Sequence, residues 1–198
     1  MPQVRRILRW ALRIAGAILG LVVVALAFGT VYQSIAGNID ETKYKAPGQL
    51  VDIGGRHLHL YRTGHGSPTV ILESGLGWGL GTWRDVQAGA AEFTQVCSYD
   101  RAGYGWSDPD PSPRTSSEIV RDLHTLLQKA GVQPPYVLVG HSIGGLYMQL
   151  YAATYPSDVS GMVLLDSSHE EQGHDPPSRP LLGVMKAIGV TGVSRLLF

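Results

Sequence analysis

The sequence is poor in cysteine, has no surplus of charge and contains no internal repeat. Cys97 is the one cysteine among 198 residues, which excludes an intrachain disulfide, and its apolar surroundings predict a buried free thiol. The 16 basic and 16 acidic side chains cancel to a formal net charge of zero, so the chain has no bulk attraction for nucleic acid. The chain has 198 residues, 44% of them hydrophobic, so it is long enough and apolar enough to form one domain with a sizeable core.

Residues 1–32 contain a long apolar run behind a basic segment. The 19 residues from Ile14 to Tyr32 carry no charge, and four arginines precede them at positions 5, 6, 9 and 13. This run can cross a bilayer as a helix, and because it is apolar on every face it does not resemble a buried core helix. The arginines predict a cytoplasmic N-terminus, so we expect a single-pass membrane protein whose following domain lies outside. A signal peptide cleaved near Ala25-Leu26-Ala27 is the alternative and would give a secreted domain.

The rest of the chain divides into a linker, a core and a tail. Residues 33–48 are polar and contain Pro47, which predicts a linker. Residues 49–166 carry strand and helix patterns. Residues 167–198 begin with a polar, proline-containing stretch and end in an amphipathic segment from Leu181 to Phe198, suited to lie over a site or against another surface.

A strand hairpin opens the core, and strands and helices then alternate. Gly54-Gly55 separates the two strands of the hairpin, because two glycines supply the positive backbone angles that such a turn requires. Thr115 and Glu118 have the spacing of a capping box at the start of the clearest helix, which Gly131 ends. We predict an α/β fold in which helices cover both faces of a mostly parallel sheet, a three-layer sandwich. The predicted elements are strands at 50–53, 56–62, 69–73, 96–99, 136–139 and 161–165 and helices at 82–93, 115–130 and from 143 onward.

A G-x-S-x-G pattern, Gly140-His141-Ser142-Ile143-Gly144, lies between the fifth strand and the helix after it. A serine hydroxyl attacks an ester or amide carbonyl only when it projects into a cleft beside a base, and a sharp turn from strand to helix provides that projection. Ligands of parallel sheets sit at the carboxyl ends of the strands, where Ser142 is expected. The pattern therefore predicts that Ser142 is a nucleophile; an ordinary glycine-serine turn is the alternative.

Three segments together resemble the α/β-hydrolase superfamily, in its lipase, esterase, prolyl-iminopeptidase, epoxide-hydrolase and haloperoxidase-like branch. They are ESGLG at 73–77, YDRAGYGWSD at 99–108 and GHSIGG at 140–145, in the family's order and spacing. The resemblance implies that Ser142 is the nucleophile and that the backbone N–H groups of Leu76 and Ile143 form the oxyanion hole. It implies no metal or organic cofactor. Ser74 stands where the family usually has a histidine, a departure that bears on subclass more than on catalysis.

The resemblance also implies further residues that complete a triad with Ser142. Family members continue after the sixth strand with a helical cap and two more strands, which carry the histidine and usually the acid. This chain ends at Phe198, inside the expected cap, so we expect a fragment that lacks the triad histidine. Asp166, at the end of the sixth strand, is the candidate triad acid; capping of the next turn is the alternative.

The seven histidines of the chain do not offer a well-placed base. His141 adjoins Ser142, but its backbone position directs it elsewhere. His57 and His59 are predicted on the solvent-facing side of the second strand, where a two-histidine metal site is the alternative. The others are His65, predicted in a turn, His124, predicted to be solvated, and His169 and His174, in the polar stretch after the sixth strand.

Together these patterns predict a membrane-anchored or exported serine hydrolase that acts on ester or related acyl bonds through an acyl-enzyme. Small ester or lipid-like molecules are the favoured substrates. A membrane-tethered, catalytically inactive binding module of the same fold is the alternative from another class. Haloperoxidase or dehalogenase activity is a further alternative, in which dehalogenation is disfavoured because those enzymes have aspartate where this chain has Ser142. An open sheet that lacks two strands also predicts an aggregation-prone edge.

Overall fold

The structure is a computed structural model that describes residues 2–169 and Gly183. The chain divides into two compact units, one of which contains the first 45 residues, while the other begins at Ala46. The predicted amphipathic tail at 181–198, apart from Gly183, and the candidate His174 lie outside the described residues.

The N-terminal unit contains a long helix, α1, from Pro2 to Lys43. Its segment Arg5–Gly37 is long and apolar enough to cross a membrane, with a mean hydropathy of 2.5 over an apolar window that is not buried at all. A signal sequence has the same properties, so both predicted alternatives stand. The helix continues through most of the predicted linker 33–48, because polar residues and a glycine, at a cost of about 1 kcal/mol, are tolerated in a solvated helix.

The second unit is built on a mixed sheet of six strands. They are β1 (Gln49–Asp52), β2 (His57–Thr63), β3 (Thr69–Glu73), β4 (Val96–Tyr99), β5 (Tyr136–His141) and β6 (Val159–Leu165). The strand order across the sheet is β1-β2-β4-β3-β5-β6. The pairs β1–β2 and β2–β4 are antiparallel, and the remaining neighbours are parallel. The predicted hairpin followed by a parallel sheet is therefore confirmed.

Three helices of the second unit connect the parallel strands. They are α2 (Arg84–Ala90), which follows a 3-10 turn at Leu80–Trp83, α3 (Ser116–Lys129) and α4 (Ile143–Thr154). The predicted start of α3 is confirmed, because the Thr115 hydroxyl accepts a hydrogen bond from the Glu118 N–H at 3.2 Å. Gly131 follows this helix with a φ of 67°, a conformation that glycine adopts without strain.

Neighbouring strand positions enter two separate cores, one on each face of the sheet. Ile71 and Leu138 belong to the larger core, which also contains the buried side of α3. The next residues along the same strands, Leu72 and Val139, pack with Trp83 in the smaller core. Because successive side chains of a strand point to opposite faces, both faces of the sheet are covered. The predicted three-layer arrangement is confirmed.

Within the described residues, β6 lies at one edge of the sheet and pairs with β5 alone. Its apolar side chains from Met162 to Leu165 keep 36% to 45% of their surface exposed. An apolar strand with a free edge favours pairing with another strand. The predicted tendency of this edge to aggregate stays a prediction.

Candidate active site

Ser142 occupies the turn between β5 and α4 in a backbone conformation that is rare for serine. Its φ is 54° and its ψ is −128°, and α4 begins at the next residue. A residue other than glycine held in such a backbone conformation adds about 1–3 kcal/mol of strain. It persists only where the surrounding structure enforces it. The predicted sharp strand-to-helix turn is therefore present, at the carboxyl end of a parallel strand.

Glycines allow the chain on both sides of Ser142 to approach neighbouring backbone. A methyl group at Gly140 would lie 2.6 Å from the Cα of Gly145, and one at Gly144 would lie 2.7 Å from the Glu73 carbonyl oxygen. Real side chains do not approach backbone so closely, so these positions require glycine. The tight turn is thus built by β5, α4 and the end of β3 together.

The peptide group after Ser142 has a fixed direction. The Ser142 carbonyl oxygen accepts hydrogen bonds from the N–H groups of Gly145 at 3.0 Å and Ser168 at 3.1 Å. In a planar trans peptide the C=O and the following N–H point in opposite directions, so these bonds also set the direction of the Ile143 N–H. That N–H lies in the first turn of α4, where helix N–H groups have no acceptor within the helix and the helix dipole favours negative charge.

The loop after β3 lies directly against this turn. A methyl group built on Gly75 would lie 3.2 Å from the Cβ of Ser142 and 3.1 Å from the Nδ1 of His141. The next residue, Leu76, is 60% exposed. Among the described residues, no carbonyl or side chain accepts a hydrogen bond from the Leu76 N–H. The structure thus brings the Leu76 loop beside Ser142 and Ile143, the residues that the sequence grouped together.

Asp166 follows β6 at the carboxyl ends of the parallel strands, the same end of the sheet as Ser142. The Leu165 carbonyl accepts a hydrogen bond from the Ser142 N–H at 3.1 Å, which ties the end of β6 to the turn. Asp166 is exposed and has a φ of 44°, a left-handed conformation that aspartate tolerates better than most residues. Its position is compatible with an acid near the site, and its catalytic role stays a prediction.

His59 differs from the sequence-based expectation. It is fully buried rather than solvent-facing, with its Nδ1 at 2.9 Å from the Asp100 carboxylate. Its Nε2 accepts the Gly48 N–H at 3.1 Å, so Nδ1 carries the proton and donates to Asp100. The expectation was wrong because β2 is paired on both sides and the ring of Trp106 packs edge-on at 5.0 Å. His57 is exposed, as predicted, with Nδ1 at 3.1 Å from Asp108.

The remaining described histidines are also not bonded to the nucleophile candidate. The side chain of His124, predicted to be solvated, is only 20% exposed, and its ring stacks on Tyr155 with centroids 3.7 Å apart. The Nδ1 of His141 is buried without a hydrogen-bond partner in the described part of the chain and points to the Gly75 loop. None of the histidines at positions 57, 59, 65, 124 and 141 has a hydrogen bond to the Ser142 side chain. His169, at the end of the described range, is exposed.

A buried ion pair beneath the site was not assigned from the sequence. Glu73, the last residue of β3, is 1% exposed and pairs with Arg101, which is 5% exposed. The Tyr99 hydroxyl also donates to the Glu73 carboxylate. Burial raises the pKa of Glu73, and the positive charge of Arg101 opposes that rise. A charged residue at the end of an otherwise apolar strand was the signal available in the sequence.

Metal-binding side chains do not cluster in the described part of the chain. No group of three or more histidine, cysteine, aspartate or glutamate side chains in residues 2–169 could hold a metal ion. His57 is exposed and lies beside Asp108, whereas His59 is buried and lies beside Asp100.

A mostly parallel sheet covered by helices, with a serine in a tight turn between an interior strand and a helix, is the arrangement of the α/β-hydrolase fold. Residues 68–184 match the family model described as alpha/beta hydrolase fold, and the chain belongs to that family.

Two curated relatives each match 54% of the chain. YqjL of Bacillus subtilis, itself uncharacterised, is 38% identical over 106 residues, which are 54% of this chain and 42% of YqjL. RutD of Azorhizobium caulinodans, a proposed carbamate hydrolase, is 37% identical over 108 residues, which are 54% of this chain and 40% of RutD. The chain thus spans less than half the length of these relatives.

Solved structures share the fold. Est816, described as an N-acyl homoserine lactone degrading enzyme, superimposes with a TM-score of 0.62 and 23% identity. The superposition covers 73% of this chain and 55% of Est816. At this identity the likeness shows the fold alone.

Proposed function

We propose that this chain is the N-terminal part of a membrane-anchored serine hydrolase that cleaves ester or related acyl bonds. The Ser142 hydroxyl attacks the carbonyl carbon, and the N–H groups of Leu76 and Ile143 bind the oxygen as it becomes negative. The leaving group departs, and water then releases the acid from the acyl-enzyme. The observation that carries the proposal is the strained turn at Ser142, which lies against the Gly75 loop at the end of β5.

The proposed reaction needs a base that removes the proton from Ser142 and a partner that orients the base. We place the histidine beyond Phe198, because the histidines with described bonds are held by other residues, and Asp166 would be its partner. The length of the matched relatives supports a longer enzyme. On its own, the 198-residue chain is expected to be inactive.

Small ester or lipid-like molecules are the proposed substrates. The names of two similar proteins, a proposed carbamate hydrolase and an N-acyl homoserine lactone degrading enzyme, support chemistry at a carbonyl. Leu76 and Trp78 beside the site are each 60% exposed and would contact an apolar acyl group. The helix α1 would anchor the enzyme with its N-terminus in the cytoplasm and the hydrolase outside; a secreted enzyme is the alternative.

A fluorophosphonate probe and a set of p-nitrophenyl esters test this function. A longer natural form that carries the downstream histidine should label and hydrolyse the esters, whereas Ser142→Ala should do neither. Ser160→Ala is the matched control, because the Ser160 hydroxyl bonds to the Tyr136 carbonyl at 3.0 Å, away from the turn. Labelling that survives Ser142→Ala, or a folded longer form that neither labels nor hydrolyses, would contradict the proposal.

A membrane-tethered binding module is the second candidate. It is favoured by the lack of a hydrogen bond between Ser142 and the histidines whose bonds are described. A module without a base would retain the fold and the turn but would not activate the hydroxyl. A longer form that melts cooperatively, binds an ester analogue and forms no adduct would support this candidate.

A further inference from the structure

The guanidinium of Arg101 holds the loop after β3 by its carbonyl oxygens. It donates to the Ser74 carbonyl at 2.6 Å, to the Gly75 carbonyl at 2.7 Å and, more weakly, to the Trp78 carbonyl at 3.5 Å. The rigid, planar fork of arginine can serve several acceptors at once. The Gly75 carbonyl also accepts the Trp78 N–H within the loop, at 3.4 Å, so the bond from Arg101 at 2.7 Å is the shorter of its two.

One of these bonds sets the direction of a peptide group at the proposed active site. The peptide between Gly75 and Leu76 is trans, since the cis bonds of the described chain precede Pro68 and Pro135. In a trans peptide the N–H points away from the C=O. Holding the Gly75 carbonyl on Arg101 therefore turns the Leu76 N–H to the opposite side, where no described group accepts it.

The charge of Arg101 also acts on the strength of that donor. Hydrogen bonds from a charged donor are shorter and stronger than neutral ones. A carbonyl that accepts such a bond becomes more polarised, and the N–H of the same peptide then donates more strongly. Arg101 would thus both aim the Leu76 N–H and strengthen it toward a negative oxygen.

A buried ion pair is by itself weak evidence for a purely stabilising role. The partner Glu73 is buried, and replacement of a buried ion pair by uncharged residues of similar size is often neutral or stabilising. The rings of Tyr104 and Tyr147 lie 4.9 Å and 5.7 Å from the guanidinium carbon and hold its plane in place. The surroundings therefore fix the orientation of Arg101 as well as its charge.

We propose that Arg101, held by Glu73, is a positioning residue that directs the Leu76 N–H into the oxyanion hole. This inference rests on the proposed hydrolase function. It assigns Arg101 no contact with the substrate; the guanidinium acts through the Gly75–Leu76 peptide.

The test removes the guanidinium without leaving a buried charge. The double variant Glu73→Gln, Arg101→Met keeps an acceptor for the Tyr99 hydroxyl and removes the donors to the loop. Arg101→Lys is a second variant that retains the charge but not the fork. Arg114→Met is the matched control, because Arg114 also lies over the Tyr104 ring, at 5.3 Å, but donates to the Ala102 carbonyl instead of the loop.

The form of the protein that reacts with the fluorophosphonate is used for each variant, and thermal melting confirms that it is folded. The double variant and Arg101→Lys should label at least tenfold more slowly, since loss of one oxyanion donor costs about 10²–10³ in rate. The KM for a p-nitrophenyl ester should change far less than kcat, and amide hydrogen exchange should accelerate at residues 74–78. Arg114→Met should match the wild type in labelling rate, in the kinetic constants and in hydrogen exchange at residues 74–78.

Two outcomes separate this inference from the proposed function. A wild-type protein that labels at Ser142 together with folded Arg101 variants that label equally fast would overturn the positioning role and leave the hydrolase function intact. A folded wild type that does not label in any form would overturn the hydrolase function, and the positioning role with it. If the double variant does not fold, the folded Arg101→Lys variant decides.

Discussion

Ser142 holds a backbone conformation that glycine adopts more readily than serine. The G-x-S-x-G pattern predicted the sharp turn together with the apolar strand before it and the helix pattern after it, and its glycines lie where neighbouring backbone leaves no room for a side chain. Cys97 was also predicted correctly: it is buried, and burial raises the pKa of its thiol to about 12. The interaction between Glu73 and Arg101 could not be predicted, because it joins residues that are distant in sequence and meet only through the pairing of β3 with β4.

The strain at Ser142 should be measurable as stability. Ser142→Gly should unfold with a free energy about 1 kcal/mol higher than Ser142→Ala, since only glycine relieves the positive φ. Equilibrium denaturation with urea measures the difference, and both variants lack the hydroxyl. A glycine variant no more stable than the alanine variant would mean that the turn is not strained.

Asp52 should make stability depend on pH in the acid range. Its carboxylate accepts the N–H groups of Gly54 at 2.8 Å and Gly55 at 3.0 Å, and these bonds lower the pKa of Asp52. A carboxyl with a lowered pKa in the folded state stabilises the fold above its unfolded pKa, about 4, and loses that contribution as the pH falls. Asp52→Asn should therefore melt at a lower temperature than the wild type near pH 7, with the gap closing below about pH 4. An equal gap at both pH values would contradict this role.

At the scale of elements, hydrophobic periodicity and capping residues predicted the strands and α3. The same patterns predicted less well which face of a strand is buried. Alternation along β2 placed His59 in solvent, yet β2 has a paired strand on each side, and Trp106 covers the ring. Alternation predicts which side chains share a face, but the cover on that face comes from distant loops. The end of α1 was missed for a similar reason, because a solvated helix and a polar linker have similar composition.

The junction of β5 and α4 should tolerate no side chain at Gly140. Gly140→Ala places a methyl group 2.6 Å from the Cα of Gly145 and should cost about 1–3 kcal/mol of unfolding free energy. Gly161→Ala on β6 is the control, because its methyl group would meet Val137 at an ordinary 3.8 Å. Urea denaturation of both variants tests the close approach, and equal losses at the two positions would contradict it.

At the scale of the whole molecule, the sequence predicted a long apolar N-terminal helix followed by an α/β domain, and both are present; the helix is long and apolar enough to cross a membrane, and its insertion stays a prediction. Family membership follows from the matched region. Substrate identity could not be predicted, because pockets in this fold are built largely by loops and cap segments whose packing depends on the complete fold. The arginines before the apolar run predict a cytoplasmic N-terminus, and this topology stays a prediction.

The chain should remain in membranes through α1. Wild-type protein expressed in bacteria is expected to stay in the membrane pellet after carbonate extraction, whereas Val22→Arg should shift it toward the soluble fraction, since a central arginine costs about 3 kcal/mol. Val22→Leu is the control and should stay with the membrane. A wild-type chain that is extracted, with a new N-terminus just after Ala27, would establish the secreted alternative.

The most direct measurement of the central claim is mass spectrometry of the fluorophosphonate adduct on the longer form of the protein that the proposed function requires. The account predicts a single modified serine at position 142, no modification at the neighbouring Ser74, and complete loss of the adduct in Ser142→Ala. An adduct on another serine, or a folded and unmodified protein, would contradict it.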